Sequence, residues 1–173
     1  MSKTNLRKTI STFSQEQLIE MILDIYSSRK DAKEYFDFYL DPDVGRLFEK
    51  YSKAIDKEFS RTKRGRMAAV RVSKIKKFVK EFASFSPGEK YVLNLYIHAC
   101  KCIPRVIGIY YCSESLENSL AGLIGITLEY ANKNALFSYG AESVVRLLSS
   151  FPHTYSFKKK IDSISDTYGL DLA

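Results

Sequence analysis

Apolar positions recur three and four residues apart along most of this chain, the spacing of one buried face on an α-helix. Leu18, Ile22, Ile25 and Tyr26 form one such face, and Ala32, Tyr35, Phe36 and Tyr39 form another within residues 31–40. Two longer stripes follow: Val44, Leu47, Phe48, Tyr51, Ile55 and Phe59, then Val72, Ile75, Phe78, Val79 and Phe82. Val92, Leu95, Tyr96 and Ala99 continue towards Cys102, and Leu116, Leu120, Leu123, Ile124 and Leu128 mark a helix over residues 115–132. Val144, Val145 and Leu147 give a helix over residues 142–148, and a last one spans residues 156–168.

The boundaries carry their own signals. Ser14 and Gln17 make a capping box, each side chain returning a bond to the other's backbone, and Phe13 can staple onto Leu18. Asp41-Pro42 reads as a capping Asp with Pro in the first helical position. Ser86-Pro87-Gly88-Glu89 combines cap, Pro and capping-box Glu, so a helix should start there. Pro104 must kink or end its helix, because it lacks a backbone donor and clashes with the preceding turn. Gly169 suits a left-handed cap. Gly122 and Gly125 would let another helix approach closely. The run Arg61-Thr-Lys-Arg-Gly-Arg66 has no apolar residue and reads as a loop.

These elements predict an all-α fold: a single domain, residues 1–173, of about seven to nine antiparallel helices in a compact bundle or short α-solenoid. The composition agrees, since 8 Gly and 4 Pro are too few for a disordered chain or a turn-rich β-fold. No repeat of solenoid length, linker or low-complexity tract interrupts the pattern.

Five stretches of the first half carry a resemblance: Asn5–Glu20, Lys30–Tyr35, Tyr39–Asp43, Lys53–Phe59 and Thr62–Arg66. Over about residues 1–85 the chain resembles an uncharacterised bacterial domain-of-unknown-function family of small helical proteins. The resemblance implies a small helical protein and brings no catalytic residues with it.

The first residues are polar and charged, without the apolar run of a signal peptide. The apolar stretches Ile103–Tyr111 and Asn118–Leu128 fall short of the roughly 18–20 residues that span a bilayer. Three cysteines, Cys100, Cys102 and Cys112, do not make a disulfide framework. The expectation is a soluble cytoplasmic protein that does not engage a membrane.

Charge supplies the most informative feature. The formal net charge is +7, but it is concentrated: residues 57–80 hold ten cations and one anion, Glu58, while the remainder holds 17 cations against 19 anions. The body is near neutral and one segment is strongly cationic. Arg61, Lys63, Arg64, Arg66, Arg71, Lys74, Lys77 and Lys80 are the candidate polyanion-binding residues. Such an array attracts a nucleic-acid phosphate backbone or an acidic protein partner. It also serves plain solubility, or pairs with Asp31, Glu34, Asp37, Asp41 and Asp43. No helix-turn-helix, RNP or zinc-finger pattern accompanies it.

Other chemistry-bearing residues assign no site. His98 and Cys102, four apart, share a helical face, but Cys100 points about 200° round from either. The C-x₂₋₄-C pairs of zinc sites are missing. Asp41-Pro-Asp43-Val-Gly45 lacks the spacing of a calcium loop. Glu114 and Glu117 suit the first turn of a helix, where negative charge meets the helix dipole. His153 sits in an interhelical turn, and Tyr110, Tyr111, Tyr139 and Tyr155 lie near helix ends. No phosphate-cradling glycine loop is present. The sequence thus assigns no catalytic, metal or cofactor-binding residue, and the expectation is a non-enzymatic helical interaction module working through its basic segment. Two alternatives remain. One is a small helical enzyme whose acids converge with His98 or His153. The other is a homo-oligomeric structural protein joined through residues 103–128.

Overall fold

The computed structural model describes residues 2–171 apart from 64, 65, 68, 108 and 111, and gives the backbone alone for 62, 63, 66 and 67. Within it the chain is all-α, relieved by one short hairpin, and forms two compact units, residues 1–43 and 44–173.

The first unit holds α1 (Lys3–Ile10), α2 (Gln15–Ser28) and α3 (Lys30–Leu40). The capping box forms as the sequence indicates: the Gln17 N–H donates to Ser14 Oγ at 3.2 Å and the Ser14 N–H to Gln17 Oε1 at 2.9 Å. α2 and α3 pack on each other, and the Tyr26 hydroxyl donates to Asp37 Oδ1 at 2.8 Å. No helical residue of this unit is buried. α1 has only Leu6 and Ile10 as large apolar residues, too few to make a readable stripe. Its start is set by Ser2, whose Oγ accepts from the Asn5 N–H.

The second unit holds α4 (Val44–Phe59), strands β1 (Thr62–Lys63) and β2 (Arg66–Met67), α5 (Val72–Ala83), α6 (Glu89–Lys101), α7 (Glu114–Lys133), α8 (Phe137–Leu148) and α9 (Tyr155–Tyr168). α6 packs against α4, α5, α7 and α8, and α9 closes on α7. The predicted stripes supply the core: Ile55, Phe59, Ile75, Phe82, Leu95, Leu120, Leu123 and Leu128 are all buried. Each such side chain contributes about 1.5–3 kcal/mol of transfer free energy.

Several boundaries differ from the sequence reading, each for a local reason. α4 begins at Val44, so Pro42 precedes it instead of occupying its first turn. Pro42 holds Asp41 extended, at φ −137° and ψ 83°, and thereby closes α3. Ser86 does not cap α6. It turns left-handed, at φ 53°, and its N–H returns to the Ala83 carbonyl, so it finishes α5; Gly88 is the residue before α6. Pro104 ends its helix: α6 stops at Lys101 and residues 103–105 form a 3₁₀ turn. The run Arg61–Arg66 is not wholly a loop, because Thr62 pairs with Met67 and Lys63 with Arg66 in an antiparallel hairpin. Gly169 caps α9 at φ 62°, with the Leu170 N–H returning to the Ser165 carbonyl.

The close helix approach lies elsewhere than expected. A Cβ at Gly122 or Gly125 would meet nothing within 4 Å, so neither glycine is needed for a close helix crossing. At Gly140 of α8 a Cβ would lie 2.6 Å from the Ala131 Cβ of α7, with Leu93 of α6 beyond it. Of Gly122, Gly125 and Gly140, it is Gly140 that stands where helices meet closely.

Candidate functional site

The candidate cations whose side chains are described, Arg61, Arg71, Lys74, Lys77 and Lys80, divide into two groups, one on Glu58 and one away from it. Glu58 lies in the last turn of α4 and is buried, 3 % exposed. Arg71, just before α5, grips its carboxylate with both edges of the guanidinium: Nε donates to Oε2 at 2.8 Å and an Nη to Oε1 at 2.6 Å. Lys74 Nζ stands 3.2 Å from the same Oε1, and an Nη of Arg61 stands 3.5 Å from Oε2. The Arg71 hydrogen bonds hold the Glu58 carboxyl below the usual carboxylate range; burial opposes this and Lys74 assists it. Arg61 also donates across the hairpin base to the Ala69 carbonyl at 3.3 Å. Arg61, Arg71 and Lys74 thus clamp α4, the hairpin and α5 together.

The other cations of α5 are exposed. Lys76, Lys77 and Lys80 lie on the exposed side of α5, and Lys77 has Glu81 at 3.6 Å. Lys63 and Arg66 face each other as the innermost pair of the hairpin. Arg64 lies outside the described residues. Lys74 is half-exposed, its ammonium 5.4 Å from the Phe78 ring centroid.

A second cluster gathers residues that the sequence left apart. Asp56 of α4 faces His98 of α6 and Cys102, the residue that ends α6. Its Oδ1 accepts from the Cys102 thiol at 3.3 Å and from an Arg105 Nη at 2.7 Å, and lies 3.4 Å from His98 Nε2. The thiol also donates to the His98 carbonyl at 3.4 Å. Burial pushes the Cys102 thiol up to about 12. Burial would raise the Asp56 carboxyl, but the bonds from Cys102 and Arg105 and the adjacent His98 outweigh it and hold it low. The thiol directs its hydrogen to the Asp56 carboxylate and the His98 carbonyl, and no hydrogen bond from it to the His98 ring is present among the described residues. With the thiol held protonated by burial, this arrangement lacks the thiol-to-base hydrogen bond of an activated nucleophile. Cys100 points away, its Sγ 3.3 Å from Thr127 Oγ1.

Glu114 and Glu117 occupy the first turn of α7 behind the Ser113 cap. Glu117 is buried, accepts from Thr154 at 3.0 Å and has Lys160 at 3.6 Å, so it ties α9 to α7. His153 packs between Phe151 and Phe157, with ring centroids 4.6 and 5.7 Å away. Tyr110, Tyr139 and Tyr155 are exposed, and Tyr111 lies outside the described residues. No described helix is long and apolar enough to cross a membrane.

A family model of unknown function, DUF6155, matches residues 1–108. The chain belongs to the DUF6155 family. No curated protein and no solved structure matches it. The DUF6155 match extends past the stretch of sequence resemblance, and takes in both clusters: the Glu58 clamp with the basic segment, and Asp56, His98, Cys102 and Arg105. Helices α7 to α9 lie beyond the DUF6155 region.

Proposed function

We propose that this chain is a non-enzymatic helical interaction module that docks on a nucleic-acid phosphate backbone through residues 61–80. One observation carries the reading. The only acid among residues 57–80, Glu58, is buried beneath Arg71 and Lys74, so no exposed carboxylate of that segment offsets its outward cations. Attraction between this face and a line of phosphates is long-ranged and needs no base contact. The clamp supports it by fixing the hairpin base and the start of α5 to α4, which keeps the cations of both elements on one rigid support.

The test is binding of labelled single- and double-stranded nucleic acid across a salt series. If Lys63, Arg64, Arg66, Lys77 and Lys80 each meet a phosphate, log K on duplex falls with log salt at a slope of about −4 to −5. The triple variant Lys63→Glu, Arg64→Glu and Arg66→Glu weakens binding equally for all sequences and flattens that slope. Unchanged affinity in the triple variant refutes the reading. So does absence of binding at low salt, a result that turns the basic segment over to an acidic protein partner.

A further inference from the structure

Asp56, His98 and Cys102 offer one oxygen, one nitrogen and one sulfur donor, all within 4.8 Å of one another. A four-coordinate ion with bonds of about 2.0–2.3 Å to such donors holds them roughly 3.3–3.6 Å apart, the edges of a tetrahedron. Two edges already have that length: Nε2 to Oδ1 at 3.4 Å and Sγ to Oδ1 at 3.3 Å. His98 Nε2 is itself buried and without a hydrogen-bond partner, although it faces the other two donors. Phe48 packs edge-on to the imidazole, 6.5 Å between centroids, and so restricts its rotation. The Asp56 side chain is 35 % exposed, which leaves a route in from solvent.

We propose that Asp56, His98 and Cys102 form a binding site for one divalent cation of the zinc class, its fourth position open to water. The donor set decides the class. Thiolate and imidazole suit zinc and cobalt, whereas magnesium and calcium take oxygen ligands throughout. On binding, the metal–sulfur bond replaces the Cys102 S–H bond and the proton leaves to solvent. Arg105 gives up its bond to Oδ1. Its side chain is half-exposed, so the guanidinium returns to water at small cost. In the metal-free chain Arg105 neutralises Asp56 and is thus the competitor the cation displaces. The site is separate from the polyanion face and shares no residue with it.

The test is titration of the full chain with Co²⁺ followed by Zn²⁺. One equivalent of Co²⁺ should give thiolate-to-cobalt charge transfer and four-coordinate d–d bands, both erased by Zn²⁺. Cys102→Ser should abolish the charge-transfer band, and His98→Ala and Asp56→Asn should each weaken binding by more than about tenfold. Arg105→Gln should tighten it about two- to fivefold, the worth of an exposed ion pair. Cys112→Ser should change nothing. No cobalt band in the parent chain, or a band that survives Cys102→Ser, overturns the proposal. Circular dichroism checks that each variant folds; should one of the ligand variants not fold, Arg105→Gln, a half-exposed side chain, decides, and unchanged or weakened binding there also overturns it.

Discussion

Replacing Glu58 by Gln tests the clamp with little change in shape. The amide keeps the volume and one acceptor, so no cavity enters the cost, but it loses the charge and turns the other oxygen into an NH₂ that meets a cationic donor. Taking one partner from a buried ion pair typically costs about 3–5 kcal/mol, because the charge left behind stays buried. Here the charges left behind belong to Arg61, Arg71 and Lys74, whose side chains are 34 %, 47 % and 43 % exposed and regain water. The loss therefore reduces to charge-assisted hydrogen bonds at one carboxylate, about 2 kcal/mol. For a unit of this size that lowers the melting temperature by roughly 6–10 °C. Urea unfolding followed by circular dichroism should show a lower midpoint with an unchanged slope. The cost should shrink in an Arg71→Gln background, since the strongest partner is already gone. A midpoint equal to the parent's, or the same cost in both backgrounds, would refute the account of the clamp. Glu58→Gln also removes the one acid from the basic segment, so folded variant should bind nucleic acid at least as tightly as the parent.

Three further outcomes follow from other contacts. Gly140→Ala should destabilise by about 1–2 kcal/mol although Ala favours helices, because its methyl meets the Ala131 Cβ; a variant as stable as the parent in urea would show that α8 shifts freely. Burial holds the His153 imidazole below its ordinary value, so the unfolded chain takes up a proton first as pH falls. Its contribution to stability is complete above about pH 6.5 and is lost as pH falls through the lower folded value, whereas His153→Phe should remove that dependence; parallel stability–pH curves would contradict this. Ser14→Ala should cost α2 about 1 kcal/mol through loss of the capping box, read as reduced helical dichroism, and undiminished signal would count against the box.

What the sequence discloses is local, and what it conceals is tertiary. The capping box at Ser14, the stop at Pro104 and the left-handed cap at Gly169 are written within a few residues, and each appears in the structure. The stripes of α4 and α5 likewise name most of their buried residues. By contrast, Glu58 reads as a lone acid among cations, and only the packing of α4 on α5 reveals it as their anchor, 13 residues from Arg71. His98 and Cys102 are visible as a pair on one face. Their third member, Asp56, lies 46 residues before Cys102, and a spacing rule built on neighbouring cysteines could not reach it. The same limit misdirected the glycines: spacing singles out Gly122 and Gly125, while the need for glycine depends on what stands opposite, and of these positions it is Gly140 that has Ala131 against it.

The central place of α6 has a consequence for exchange with solvent. A helix covered by α4, α5, α7 and α8 cannot open alone, since freeing its backbone strips four neighbours of their packing. Its amide protons should be the slowest in the chain to exchange with deuterium, released only by global unfolding. His98 belongs to that helix, Cys102 follows directly on it and Asp56 faces both from α4, so their relative positions should outlast every partial opening of the fold.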